Sequence, residues 1–147
     1  MRAGKLVGSV TKCLWLATGN SLPRSRDFKV DVILRDLERL PKGSADDTIR
    51  LTIPRMCRAI YDIASNRGAR HDPDEIDPNV MDATVSNSVA SWILAEMIRF
   101  SQKGSIDPAG AKSLVEELTQ KNFQLSRMWM GVFIFTLKAW EQEGLPF

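Results

Sequence analysis

His71, the single histidine of the chain, is the residue best suited to proton transfer. Its side-chain type has an unperturbed pKa that allows it both to accept and to donate a proton near neutral pH. Arg67 and Arg70 lie within four residues of it, and Asn66 adds an amide at the start of the same stretch. A histidine beside fixed positive charge suits a phosphodiester substrate. The sequence also leaves open a plainer role for His71, as a surface residue or a helix cap.

The elements that must position these residues are predicted to be helices. Apolar residues recur every three to four positions over five ranges, 2–17, 27–40, 48–65, 78–102 and 107–121. Gly19, Pro23, Pro41 and Gly104 separate them, because glycine favours left-handed caps and proline lacks a backbone donor. We therefore predict an all-α fold, a bundle of four to five helices in which residues 66–77 connect the third helix to the fourth.

Each of the first four helices carries an apolar face that we expect to be buried. In chain order, these faces consist of Leu6, Val10, Cys13, Leu14 and Ala17; Val30, Ile33, Leu34, Leu37 and Leu40; Ile53, Met56, Cys57, Ile60, Ile63 and Ala64; and Met81, Val85, Val89, Trp92, Ile93, Glu96, Met97 and Phe100. Methionine and aromatic residues at helical spacing indicate a core more often than a cofactor site.

The last 25 residues have an ambiguous pattern. The run 132–135 favours a strand by β-propensity, but apolar residues from Met130 to Trp140 also fit a helical stripe. We therefore expect either a helix or a short hairpin as a C-terminal extension, packed on the bundle or on a second subunit. The predicted division is 1–103 for the bundle with the His71 loop and 104–147 for the last helix and its aromatic-rich extension.

Composition excludes several classes of protein. A chain of 147 residues with 44% hydrophobic content is long enough to bury one core. One histidine and two isolated cysteines, Cys13 and Cys57, supply no zinc-ligand set, and no cofactor motif is present. The two cysteines fit a reducing compartment, although the sequence leaves their pairing open. The N-terminal segment is predicted to be an amphipathic helix rather than a signal peptide or membrane span. We expect a cytoplasmic protein without a membrane partner or a cofactor.

The net charge is only +2, but it is unevenly distributed. Residues 1–60 carry twelve Lys/Arg and six Asp/Glu, whereas residues 61–147 carry eight and twelve. A basic front half is suited to holding a polyanion through phosphate contacts. Solvated helix faces show a similar excess, so the sequence does not choose between the two interpretations.

The segments 60–71 (IYDIASNRGARH) and 76–83 (IDPNVMDA) resemble HEPN-type helical bundles, and more narrowly those of abortive-infection and related phage-defence proteins. That family has an Arg-Asn pair at the end of one helix, a glycine-bearing turn, and a histidine before the next helix. The resemblance covers roughly residues 48–121. It implies a metal-independent RNA endonuclease, in which the arginine and histidine assist attack of the ribose 2′-hydroxyl on the adjacent phosphate. It also implies a homodimer, because two protomers usually build one composite cleft.

The chain departs from the family at the Arg-Asn pair, where Ala64 and Ser65 stand. One hypothesis is a nuclease-like defence effector. In it, His71 is the general acid/base, Arg67 and Arg70 hold the phosphate, and Asn66 positions the substrate. The alternative is a non-catalytic helical module of a larger assembly, which dimerises and binds RNA or a partner protein. Losing a cation that stabilises developing charge costs orders of magnitude in rate, so enzymatic activity is left open.

Overall fold

The computed structural model describes residues 3–66 and 79–121. Its elements, in chain order, are α1 (Ala3–Ala17), a 3₁₀ turn (Ser25–Asp27), α2 (Val30–Glu38), a π-helical turn (Thr48–Thr52), α3 (Ile53–Asn66), α4 (Val80–Ser101) and α5 (Pro108–Lys121). No strand occurs within these two described ranges. The predicted all-α helical bundle is therefore confirmed. The predicted C-terminal extension, residues 123–147, lies outside the described residues.

The chain divides into two compact units, Met1–Ala90 and Ser91–Phe147. The sequence-based division at 103/104 stays a prediction. In the first unit, α1, α2 and α3 pack pairwise against one another. All five residues expected on the inner face of α1 are buried, and so are Ile33, Leu34 and Leu37 of α2. These side chains form the core that fixes the direction of α3.

Two features at the ends of α1 and α3 follow directly from the sequence. Gly19 ends α1 with a φ of 77°, and the N–H groups of Gly19 and Asn20 donate to the carbonyls of Leu16 and Trp15 at 3.0 and 3.2 Å. This is the left-handed cap that glycine permits. Pro54 stands at the second position of α3, directly after the π-helical turn. Proline has no backbone N–H to donate, so it is tolerated in the first turn of the helix.

Four apolar residues that were expected to be buried are exposed instead: Met56 on α3, and Met81, Val85 and Trp92 on α4. Met56 lies about 90° around the helix from the centre of the buried face, because each residue advances the helix by about 100°. Over residues 80–90 of α4, Ala90 alone is buried. The prediction was wrong here because periodicity shows that a face is apolar, but not that another element covers it.

The second unit contains the rest of α4 and the whole of α5. Ile93 and Met97 are buried on α4, and Ala111 and Val115 are buried on α5. The start of α5 is capped by Asp107, whose Oδ1 accepts a 2.7 Å hydrogen bond from the Gly110 N–H. Aspartate is a preferred N-cap residue because its carboxylate satisfies an otherwise unpaired backbone donor.

Candidate functional site

The stretch that carries His71 joins two helix ends. α3 ends at Asn66, and α4 begins after Asn79. Asn79 and Asp82 form a reciprocal cap: Asn79 Oδ1 accepts from the Asp82 N–H at 3.0 Å, and Asp82 Oδ2 accepts from the Asn79 N–H at 3.1 Å. Such a pair satisfies two donors at once and fixes the residue at which the helix begins. The point where the chain enters α4 is therefore well defined.

Three of the four predicted site residues, Arg67, Arg70 and His71, lie outside the described residues. Asn66 is the last residue of α3, and its side chain also lies outside what the structure describes. The proposed arrangement of these four side chains therefore stays a prediction.

The last turn of α3 holds the two positions that the proposed resemblance would align with the Arg-Asn pair of HEPN-type bundles. Ala64 and Ser65 are both half-buried there. An alanine methyl has neither charge nor hydrogen-bonding capacity, so position 64 offers nothing to a phosphate. Any cation that serves the site must therefore come from another position.

One cation of the basic front half is part of the fold. Arg50 is buried in the π-helical turn, where its Nε donates to Asp47 Oδ1 at 2.7 Å. Its Nη1 donates to the carbonyl of Leu40 at 3.0 Å. Because both contacts are internal, Arg50 does not serve as a contact for a ligand.

Two further arginines are held by a single carboxylate. Glu38, at the end of α2, has its Oε2 3.5 Å from Arg55 Nε and its Oε1 2.8 Å from Arg58 Nη2. No N–H of the described residues is directed at Glu38 Oε1, so the closer contact is an ion pair without a well-formed hydrogen bond. The side chain of Glu38 is largely buried, whereas both arginines are partly exposed. This cluster joins α2 to α3 and balances part of the positive charge.

Four more cations are exposed, and of these only Arg26 forms an ion pair among the described residues, at 3.8 Å from Asp27. Lys12 of α1 lies over the ring of Phe28, with Nζ 5.0 Å from the ring centre. Arg24, Arg26 and Lys29 are exposed and are close to Phe28 in sequence. We call the four cations Lys12, Arg24, Arg26 and Lys29 the basic surface. Sequence analysis missed it because Lys12 is sixteen residues from Phe28. The cluster of cations in residues 24–29 (RSRDFK) was the one feature of the sequence that could have indicated this surface.

The two cysteines are unsuited to nucleophilic chemistry. Cys13 and Cys57 are free and buried. Burial raises the pKa of each thiol to about 12, and Lys12 only partly opposes this effect at Cys13. A thiol is a nucleophile only as its thiolate, so these two groups are inert at neutral pH.

Neither a metal centre nor a membrane span is found in the described part of the chain. Residues 3–66 and 79–121 contain no group of three or more His, Cys, Asp or Glu side chains placed to hold a metal ion. None of the helices in the same ranges combines the length and apolar character needed to cross a membrane. Comparison with protein-family models, with curated proteins and with solved structures found no match.

Proposed function

We propose that this chain is a HEPN-like, defence-associated domain that binds RNA in the cytoplasm, with a degenerate metal-independent endoribonuclease site around His71. The observation that carries the proposal is the helical frame: the segment 67–78, which includes Arg67, Arg70 and His71, connects the end of α3 to the capped start of α4. That order matches the helix, glycine-bearing turn, histidine and helix of the HEPN-type pattern.

The roles in this proposal follow from the chemistry of each group. His71 removes a proton from the ribose 2′-hydroxyl or returns one to the leaving oxygen. Arg67 and Arg70 hold the phosphate and oppose the charge that develops on it. Asn66 positions the substrate by hydrogen bonding. Because Ala64 stands where the family has arginine, we expect cleavage to be slow.

Incubation of the protein with structured and unstructured RNA in the presence of EDTA tests this proposal. We expect binding of RNA and slow cleavage that does not need a divalent metal. His71→Ala should abolish the cleavage and leave binding intact, because the imidazole transfers protons and does not supply the main positive charge. RNA that stays intact at high protein excess, as it does with His71→Ala, would contradict the nuclease part. Absence of binding at low salt would contradict the whole proposal.

The second candidate function is a non-catalytic dimerisation module, and the start of α4 favours it. Val80, Met81 and Val85 are 82%, 74% and 47% exposed. Asp82 is the one ionisable residue between positions 79 and 95. A solvated helix normally carries charges on its exposed face, so this surface is typical of an interface. It suits a twofold contact between two copies, because an uncharged face does not repel itself.

Light scattering tests the dimer. We expect a dimer at micromolar concentration, with an interface of roughly 1,200–2,000 Å² in total. Met81→Glu combined with Val85→Glu should give a monomer, because two carboxylates would be buried at the contact. Val32→Glu is the matched control, since Val32 on α2 is also exposed, at 45%. A monomeric wild-type protein, or a double variant that still dimerises, would contradict this interface.

A further inference from the structure

The basic surface is held together by one contact between α1 and the segment that follows it. Lys12 Nζ lies 5.0 Å from the centre of the Phe28 ring. A cation at this distance from an aromatic face is attracted by the ring quadrupole. The contact places the residues next to Phe28 beside α1. Arg24 is joined to them by the 3₁₀ turn, in which the Asp27 N–H donates to its carbonyl at 2.8 Å.

The charges on this surface are mostly unopposed. Among the described residues, no carboxylate forms an ion pair with Lys12, Arg24 or Lys29, and all three are exposed. Arg26 lies 3.8 Å from Asp27, but their side chains are 76% and 58% exposed, so solvent weakens that pair. Asp31, two residues after Lys29, is a second exposed carboxylate, so this stretch and Lys12 together hold four cations and two carboxylates. Arg24, Arg26 and Lys29 fall within six consecutive residues, and the Debye length is about 8 Å at physiological salt, so their fields overlap.

The arginines of the α2–α3 junction are different. Arg50, Arg55 and Arg58 each have a carboxylate partner, with N–O distances of 2.7, 3.5 and 2.8 Å. Their charges are opposed within the fold. The cations of residues 1–60 thus include a paired group at this junction and a mostly unpaired group at the basic surface, and Lys5, Arg35 and Lys42 are exposed and unpaired outside both groups among the described residues.

We propose that the basic surface binds the phosphodiester backbone of single-stranded RNA. This inference rests on the proposed function and deepens it, because it assigns RNA affinity to residues far in sequence from His71. Lysine and arginine side chains bind phosphates through charge and release counterions in doing so. One face of the Phe28 ring is already occupied by Lys12, so the surface holds the backbone rather than stacking a base. We therefore expect little dependence on base sequence.

Fluorescence anisotropy with a labelled single-stranded RNA of mixed sequence tests the assignment over a range of salt concentrations. The variant is Lys12→Gln, Arg24→Gln and Lys29→Gln together. Each lost phosphate contact should reduce the slope of log K against log salt by about 0.7, so three should reduce it by about 2. At 0.1 M salt this corresponds to a Kd about 100-fold weaker. Circular dichroism checks that the variant is folded.

The control removes the same formal charge elsewhere. Three other cations are also exposed and form no ion pair among the described residues: Lys5, Arg35 and Lys42. The control variant is Lys5→Gln, Arg35→Gln and Lys42→Gln together. A large loss of slope in the test variant and a small one in the control supports the basic surface. Equal losses in both overturn it, because binding then follows net charge alone.

Two other results separate this inference from the proposed function. A wild-type protein that binds RNA only as tightly as the test variant overturns the basic surface and leaves RNA binding in place. A wild-type protein that binds no RNA at low salt overturns both. Cleavage by the test variant at saturating RNA, if equal to that of the wild type, supports a binding surface that is distinct from the His71 segment.

Discussion

Arg50 and Asp47 form a 2.7 Å hydrogen-bonded ion pair in which the cation is buried and the carboxylate is not. The Arg50 side chain is 10% exposed and that of Asp47 is 64% exposed. A buried guanidinium must have its donors satisfied, and Leu40 supplies the second acceptor through its carbonyl. Arg50 therefore joins the π-helical turn to Leu40, two residues after the end of α2, while its pair with Asp47 is local to the turn.

Arg50→Ala should lower the free energy of unfolding by about 1–3 kcal/mol. The Leu40 carbonyl loses its partner and the buried aliphatic stem is removed, whereas the exposed Asp47 carboxylate is rehydrated at little cost. Urea denaturation followed by circular dichroism measures the change. Arg35→Ala is the matched control, because Arg35 is exposed and its loss should cost no more than about 0.5 kcal/mol. Equal effects of the two substitutions would show that Arg50 has no special structural role.

Gly110 leaves room for the Asp107 side chain that caps α5. An alanine Cβ at this position would lie 2.9 Å from Asp107 Oδ1 and 3.3 Å from Ile106 Cγ2. Alanine normally stabilises a helix by about 1 kcal/mol relative to glycine. Here the capping carboxylate would have to move, which costs about 1 kcal/mol through the lost cap. We therefore expect Gly110→Ala to change stability very little.

A double-mutant cycle isolates that coupling. In an Asp107→Ala background the cap is already absent, so Gly110→Ala should then stabilise the protein by up to about 1 kcal/mol. Gly8→Ala on α1 should stabilise the unaltered protein in the same way, because beyond the adjoining backbone no atom lies within 4 Å of where the added methyl group would stand. Additive effects at positions 107 and 110 would contradict the capping account.

Because Cys13 and Cys57 are buried thiols, we expect the protein to lose stability at alkaline pH. Burial raises the pKa of Cys13 and Cys57 from 9.0 to about 12, so the unfolded chain releases both protons before the folded chain does. Stability from this source is fully present below pH 9 and falls as the pH rises from about 9 to about 12. Urea midpoints measured between pH 8 and pH 10.5 should decrease. Replacing both residues with alanine should remove this part of the decrease, whatever its effect on stability at pH 8. An unchanged pH dependence would mean that the thiols ionise equally in both states.

Helix positions followed from local rules, whereas their burial depended on the rest of the fold. The face of α1 was predicted correctly because three helices meet there, and Leu6, Val10 and Leu14 all point into that core. Met81 and Val85 of α4 are apolar and four residues apart, as Leu6 and Val10 of α1 are, but they are exposed. Periodicity does not indicate which apolar face is covered by another element. Buried Thr11 was also not predicted. Its hydroxyl donates to the Val7 carbonyl at 2.7 Å, which satisfies this polar group within one helix.

Only one of the two candidate sites, the His71 segment, was predictable from sequence. The other, the basic surface, depends on a contact between residues distant in the chain. His71 could be chosen from residue type alone, and its place between two helices from the spacing of apolar residues. The basic surface required a contact between Lys12 and Phe28, which no local pattern encodes. Charge counting indicated residues 1–60, where the basic surface lies, but did not separate the paired Arg58 from the unpaired Arg24.

We propose that the segment carrying His71 has the HEPN-like order of elements and lacks only the family's Arg-Asn pair. Cleavage of RNA in EDTA by the variant Ala64→Arg, Ser65→Asn measures this most directly. Both positions are in the last turn of α3 and half-buried, so the folding cost should stay within about 1 kcal/mol. We expect cleavage to rise by about 100-fold over the wild type, the effect of one well-placed charge-stabilising group, and His71→Ala in that background to abolish the gain. A correctly folded double variant that cleaves no faster than the wild type would contradict the claim.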